Sequence, residues 1–215
     1  MIEELEEIKQ IINQSEAILI TAGAGMGVDS GLPDFRGKDG FWKAYPMASK
    51  LNLSFDNIQK KTPIYLKDVI SHLEPIQHNN PSKKDILHRA KELNEINFRR
   101  IKATPLNGGL RSAWSEDLRL PCHKAKEAFH DNYGRLAWDK LSSTITTKFN
   151  QYYSGRFGHP EQDRALSLRE GALIQTFPKD YQFFGTDYQI ARQIGNAVPV
   201  NLSKAVGETF IYAIV

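Results

Sequence analysis

The sequence predicts a mixed α and β chain: a partial Rossmann-like βα unit at the N-terminus, followed by a second small domain that closes on a C-terminal helix. Three observations carry this. Ala17-Ile-Leu-Ile20 is a short apolar run bounded by turn residues, the pattern of a buried parallel strand, and it feeds a glycine-rich stretch. Ser167 and Glu170 stand at capping-box spacing ahead of an apolar run that Pro178 stops. Beyond Pro199, which suits the first position of a helix, Leu202, Ala205, Val206, Thr209, Phe210 and Ala213 recur at helical spacing.

Composition narrows the classes. The chain has 215 residues, 40% hydrophobic and 25% charged, which are values of a globular protein. No apolar run approaches the ~18 residues of a membrane helix, and residues 1–16 are acidic and amphipathic rather than a basic-then-apolar leader. One cysteine excludes a disulfide framework or a four-cysteine zinc site within the chain, so the cytoplasm is the expected compartment. The net charge of +3 is unevenly spread: residues 1–61 hold 7 Lys and Arg against 9 Asp and Glu, and residues 62–215 hold 21 against 16. The basic second part suits a phosphate-bearing partner.

The elements follow in order. Ile2, Leu5, Ile8, Ile11 and Ile12 repeat as one face of a helix that ends near Ser15. After the Ala17–Ile20 strand comes Thr21-Ala-Gly-Ala-Gly-Met-Gly-Val-Asp-Ser-Gly-Leu-Pro-Asp-Phe-Arg-Gly37. Its glycines let backbone amides approach a phosphate group that side chains would hold off. Ile58 to Pro63 is polar and reads as a junction, dividing the chain into residues 1–60 and 61–215. A short helix is expected over Tyr65–Ile70, a polar loop over His72–Lys84, and a helix from Asp85 to about Asn94. Gly108-Gly109 is a turn, Thr144–Thr147 are strand formers, and Tyr152–His159 is a glycine-rich aromatic loop. Tyr181, Phe183 and Phe184 form a cluster that needs burial, and Asn196 follows Gly195 in a turn.

The string from Thr21 to Gly37, continued by Gly40-Phe-Trp-Lys-Ala-Tyr-Pro46 to about Asn57, resembles the NAD-binding signature of the sirtuin family. The resemblance implies that Gly23, Ala24 and Gly25 face a diphosphate and that Asp34, Phe35 and Arg36 line the pocket near the ribose and nicotinamide. Gly27 departs from it, standing where many sirtuins have serine. The catalytic histidine, the zinc module and the rest of the sheet have no counterpart in residues 1–61, so NAD is expected to bind weakly if at all.

From about Thr62 onward the resemblance is to the cytosine-5 DNA methyltransferases. Arg164-Ala-Leu-Ser-Leu-Arg-Glu-Gly-Ala-Leu-Ile-Gln-Thr-Phe-Pro178 and Gln193-Ile-Gly-Asn-Ala-Val-Pro199 are similar to that family's last two motifs, and Gly134-Arg-Leu-Ala-Trp-Asp139 with Ser143–Thr147 to the stretch before its recognition loops. The resemblance implies a target-recognition domain that binds double-stranded DNA through Arg135, Thr144, Thr146, Arg156 and His159. It places Asn196 and Val198 on the side of the S-adenosylmethionine pocket and gives Arg169 and Glu170 structural ion-pair roles. The family's methyl-donor loop, its Pro-Cys loop and its Glu-Asn-Val stretch have no match here. Cys122, in Leu120-Pro-Cys-His123, sits in the recognition region rather than where the family nucleophile lies, so no catalytic residue is assigned, and no metal site either. The expected role is a recognition subunit or remnant that needs a larger subunit carrying the early motifs. A sirtuin-type NAD-handling protein and an inactive fusion are the alternatives.

Overall fold

The computed structural model describes residues 63–124 and 132–214, without the side chains of Lys124, Val206 and residues 209–214. The expected Ala17–Ile20 strand and its glycine-rich turn lie outside these residues. The described elements are α1 (Leu66–Ile70), α2 (Glu95–Ala103), α3 (Leu168–Ile174), α4 (Asp187–Asn196) and α5 (Val200–Ile214), with short 3-10 turns between. Extended pairing among the described residues is confined to isolated bridges. In two of them Gly158 lies parallel to Arg135 and antiparallel to Ala165.

Helix α3 sits at the centre, and its N-terminus explains much of what surrounds it. A helix leaves its first N–H groups without internal partners. Here the Ser167 hydroxyl accepts from the Glu170 N–H at 3.1 Å and the Glu170 carboxylate accepts from the Ser167 N–H at 2.7 Å, the reciprocal capping box. The N–H groups of Leu168 and Arg169 donate to the carbonyls of Arg89 and Leu87. That demand overrides local propensity: the segment after Asp85 does not form the expected helix. Instead Asp85 accepts from the Leu87 N–H in a tight turn, and the next carbonyls serve α3. The helix in this region is α2, which starts ten residues later, capped by Asn94 accepting from the Asn97 N–H at 3.0 Å.

Helices α1, α3 and α4 pack together around Leu66, Ile70, Leu136, Phe149, Leu166, Leu168, Ala172, Ile190 and Ile194, all buried. Burying each large aliphatic or aromatic side chain contributes roughly 1.5–3 kcal/mol. Gly171 is required in α3 because a Cβ there would stand 2.1 Å from the ring of buried Phe149. A second cluster joins α2 to the 3-10 turns through Ile101, Trp114, Leu118, Tyr133 and Tyr152. It holds a buried polar chain in which the Trp114 indole N–H donates to the Thr104 hydroxyl at 2.8 Å and that hydroxyl meets the Tyr152 hydroxyl at 2.6 Å.

Three further expectations are corrected. Thr144–Thr147 is not a strand: none of the described residues pairs with it, and it runs into a turn in which the Phe149 N–H donates to the Thr146 carbonyl at 3.1 Å. Gly195 and Asn196 are the last residues of α4 rather than a free turn. In the aromatic cluster, Phe177, Tyr181 and Phe183 stack on one another, but Phe184 is 74% exposed. Helix α5 begins directly after Pro199.

Candidate nucleic-acid interface

A fully buried ion pair fixes the approach to α3. Arg164 forks onto Glu170 through two hydrogen bonds of 2.7 Å, with each side chain 1% exposed. The remaining Arg164 donors reach the carbonyls of Ile76 and Ala165 and the Gln162 side chain. Burial alone would raise the Glu170 pKa, but the Arg164 charge and the hydrogen bonds outweigh it and hold the carboxyl well below its ordinary value. Ser167 is held in turn by His88. The His88 Nε2–H donates to the Glu74 carbonyl at 2.8 Å, so Nδ1 is left to accept from the Ser167 hydroxyl at 2.9 Å. Arg169 is bidentate to Asp85 and also donates to the Lys179 carbonyl. Both Arg169 and Glu170 are therefore ion-paired inside the protein.

Two residues expected to touch DNA are instead internal. Arg135 is 0% exposed. Its guanidinium donates to the carbonyls of Thr104, Ile101, His159 and Gln162 and to Asp163, using up its five N–H groups on the protein's own loops. His159 is 2% exposed, and its Nδ1 accepts from the N–H groups of Glu161 and Gln162. Burial pushes its pKa down to about 3, with the Arg164 and Arg135 charges acting in the same sense and Glu170 against them. The resemblance of Gly134–Asp139 to the stretch before the family's recognition loops points Arg135 toward DNA. What it does not reveal is that loops from residues 101–104 and 159–163 converge on this one guanidinium.

Thr144 and Thr146 are exposed on either side of buried Ile145, with exposed Lys148 just beyond, and the Thr146 hydroxyl accepts from the Lys148 N–H at 3.4 Å. This segment lies directly against the C-terminus of α4: a Cβ on Gly195 would stand 2.4 Å from the backbone of Thr146 and Thr147. Gly195 is therefore a contact glycine that permits backbone-to-backbone approach. The approach brings the Thr146–Thr147 backbone against the end of α4, where exposed Asn196 follows Gly195 and half-buried Val198 lies two residues further along the chain. The end of α4 and the link to α5, which carry Asn196 and Val198, are clamped from α3. The Gln175 amide donates to the carbonyls of Ile194 and Ala197 at 2.8 and 2.9 Å, the Gln175 carbonyl accepts from the Val200 N–H, and the Thr176 hydroxyl accepts from the Asn201 N–H at 2.9 Å. This clamp spans about twenty residues of sequence and has no local signature.

The other assigned residues are dispersed. Arg156 is half-buried in the 152–159 loop, and Cys122 is exposed in a 3-10 turn beside His123, whose ring packs between Trp114 and Tyr133. Among the described residues no group of His, Cys, Asp and Glu is arranged to hold a metal ion, and no helix is long and apolar enough to cross a membrane. Gly23, Ala24, Gly25, Asp34, Phe35 and Arg36 lie outside the described residues.

Comparison with known proteins adds the family. Over 153 residues, 67% of this chain and 42% of the relative, the sequence is 46% identical to a type II methylase, M.HgiDII, of Herpetosiphon aurantiacus. Over 76 residues it is 50% identical to DNA (cytosine-5)-methyltransferase 1 of Mus musculus, covering 35% of this chain and 5% of that protein. Over 77 residues it is 49% identical to the type II methyltransferase M.PspPI of a Psychrobacter strain, covering 36% of this chain and 18% of that protein. The chain thus spans less than half the length of these relatives. The family model of C-5 cytosine-specific DNA methylase matches residues 41–211, which takes in residues 41–60 as well as the expected second domain. On this match over most of its length, the chain belongs to the C-5 cytosine-specific DNA methylase family.

Proposed function

We propose that this chain is the DNA-recognition and closing portion of an S-adenosylmethionine-dependent cytosine-5 DNA methyltransferase, and that it acts with a second polypeptide carrying the early motifs. The observation that carries the reading is the apposition at Gly195. The Thr146–Thr147 backbone lies against Gly195 at the end of α4, next to Asn196, and exposed Thr144 and Thr146 carry hydroxyls that could donate to DNA phosphates.

The donor set at Asn196 and Val198 fits one edge of a methyl-donor pocket: Asn196 offers an amide that can both donate and accept, and Val198 an apolar contact. S-adenosylmethionine supplies the methyl group when bound. The residues of this chain would orient it from one side, with the Gln175 clamp keeping their spacing. The buried Arg164–Glu170 pair and the Arg135 hub hold the recognition loops in register and touch neither DNA nor cofactor. Arg156, at the loop, would contribute a base or phosphate contact. NAD has no part in this reading.

The test is duplex binding by the whole chain as a function of salt. The logarithm of affinity should fall linearly with the logarithm of salt concentration, at a slope of about −0.9 per phosphate contact. Replacing Thr144 and Thr146 together with alanine should weaken binding by about 1–2 kcal/mol, at roughly 1 kcal/mol per lost hydrogen bond. Binding that is indifferent to salt and to both threonines would refute the proposal.

A further inference from the structure

Helix α3 ends in a conformation that its residues do not favour. Gln175 is its C-cap, and beyond it the Phe177 N–H donates to the Ala172 carbonyl at 3.0 Å and the Thr176 N–H to the Leu173 carbonyl at 2.9 Å. This pair of bonds closes a helix through one left-handed residue, which is ordinarily glycine. Here that residue is Thr176, at φ 61°. A β-branched side chain is poorly suited to positive φ, and such strain persists only where the surroundings hold it. What threonine offers and glycine lacks is a hydroxyl, and this one accepts from the Asn201 N–H at 2.9 Å.

That bond belongs to a set. The first N–H groups of a helix have no partners inside it. At the start of α5 the Val200 N–H donates to the Gln175 carbonyl at 3.1 Å and the Asn201 N–H to Thr176, so the end of α3 caps the beginning of α5. The Gln175 amide holds the carbonyls of Ile194 and Ala197 on the α4 side. Two consecutive residues of α3 thus grip the chain at residues 194, 197, 200 and 201, and Asn196 and Val198 lie between these points. Glycine at position 176 would suit the backbone but leave the Asn201 N–H to solvent. Resting on the methyl-donor reading above, we infer that Thr176 is a positioning residue: its hydroxyl sets the first turn of α5 against α3 and so keeps Asn196 and Val198 in place for S-adenosylmethionine.

The experiment compares Thr176→Val, Thr176→Gly and Thr176→Ser. The first keeps the shape of the side chain and removes the acceptor. The second removes the acceptor and relieves the left-handed strain, so it folds even where the first does not. The third keeps the hydroxyl. In the whole chain, amide exchange followed by nuclear magnetic resonance should be about fivefold faster at Asn201 in Thr176→Val and Thr176→Gly, the equivalent of one hydrogen bond, and unchanged in Thr176→Ser. The chain is then mixed with the part of the Herpetosiphon relative that it does not cover, and binding is followed by calorimetry. Affinity for S-adenosylmethionine should fall about fivefold in Thr176→Val and Thr176→Gly and return in Thr176→Ser, while affinity for duplex DNA stays unchanged in all three. Unaltered exchange at Asn201 in the folded variants would overturn the inference at its first step. Faster exchange with undiminished affinity for S-adenosylmethionine would overturn the positioning role and leave the proposed function standing. Equal losses for S-adenosylmethionine and duplex, or no rescue by Thr176→Ser, would show a general structural role and overturn it as well. A mixture that takes up no S-adenosylmethionine with the unaltered chain would sink the proposed function, and this inference with it.

Discussion

Replacing Glu170 with glutamine probes the buried brace at the N-terminus of α3. The substitution is isosteric and removes only the charge and one acceptor. Glu170 Oε1 accepts from Arg164, and Oε2 accepts from both Arg164 and the Ser167 N–H. Whichever way a glutamine amide is turned, its NH₂ therefore meets another donor. The Arg164 guanidinium, 1% exposed, is left without its counter-ion. Breaking a buried ion pair from one side costs about 3–5 kcal/mol, a large part of the roughly 5–15 kcal/mol by which a domain is stable. Urea unfolding followed by far-ultraviolet circular dichroism gives the difference directly. Exchanging both partners, Arg164→Met with Glu170→Leu, should recover only part of the loss. The carbonyls of Ile76 and Ala165 and the Ser167 N–H would lose their partners. Where Glu170→Gln is still folded its DNA affinity should equal that of the unaltered chain, because the pair touches no ligand. A loss of stability below about 1 kcal/mol would refute the reasoning.

Three other outcomes follow from the same structure. His159 has a folded pKa of about 3 against an ordinary 6.5, so the unfolded state takes up its proton first and stability falls as pH drops from about 6.5 toward 3. At pH 5 this amounts to about 2 kcal/mol relative to pH 7. That increment should be missing in His159→Gln, and an unchanged difference between the two pH values would count against the burial argument. Gly195→Ala should lose about 1–3 kcal/mol of stability by forcing apart the Thr146–Thr147 backbone and α4, although alanine is the better helix former; a neutral or stabilising result would contradict the close approach. The chain should release no nicotinamide from NAD, and release that disappears in Arg36→Ala would revive the sirtuin-type reading.

The structure shows which parts of this account a sequence can carry. The Ser167–Glu170 capping box, the stop before Pro178 and the start of α5 after Pro199 were legible because each signal lies within a few adjacent residues. The Thr186–Gln189 capping box of α4 has the same form and could have been read in the same way. The resemblance of Gly134–Asp139 to the stretch before the family's recognition loops assigns Arg135 to DNA; its partners in the structure lie in residues 101–104 and 159–163, beyond any local pattern. The Asp85–Asn94 periodicity pointed to a helix, yet the carbonyls of Leu87 and Arg89 serve the N-terminus of α3, some eighty residues away in the chain. Thr144–Thr147 have strand propensity but no strand beside them among the described residues, and propensity alone cannot create a partner. The juxtaposition of Thr146 with Gly195, on which the proposed function rests, has no sequence signature beyond the glycine itself.

As proposed, this chain completes a cytosine-5 methyltransferase together with a polypeptide that carries the early motifs. The most direct measurement mixes it with the part of the Herpetosiphon relative that it does not cover and follows transfer of a labelled methyl group from S-adenosylmethionine to duplex DNA. Transfer is expected from the mixture and from neither polypeptide alone, and Cys122→Ser is expected to leave it unchanged. Transfer by the lone chain, loss of transfer on changing Cys122, or an inert mixture in which the chain nonetheless binds the duplex would contradict the proposal.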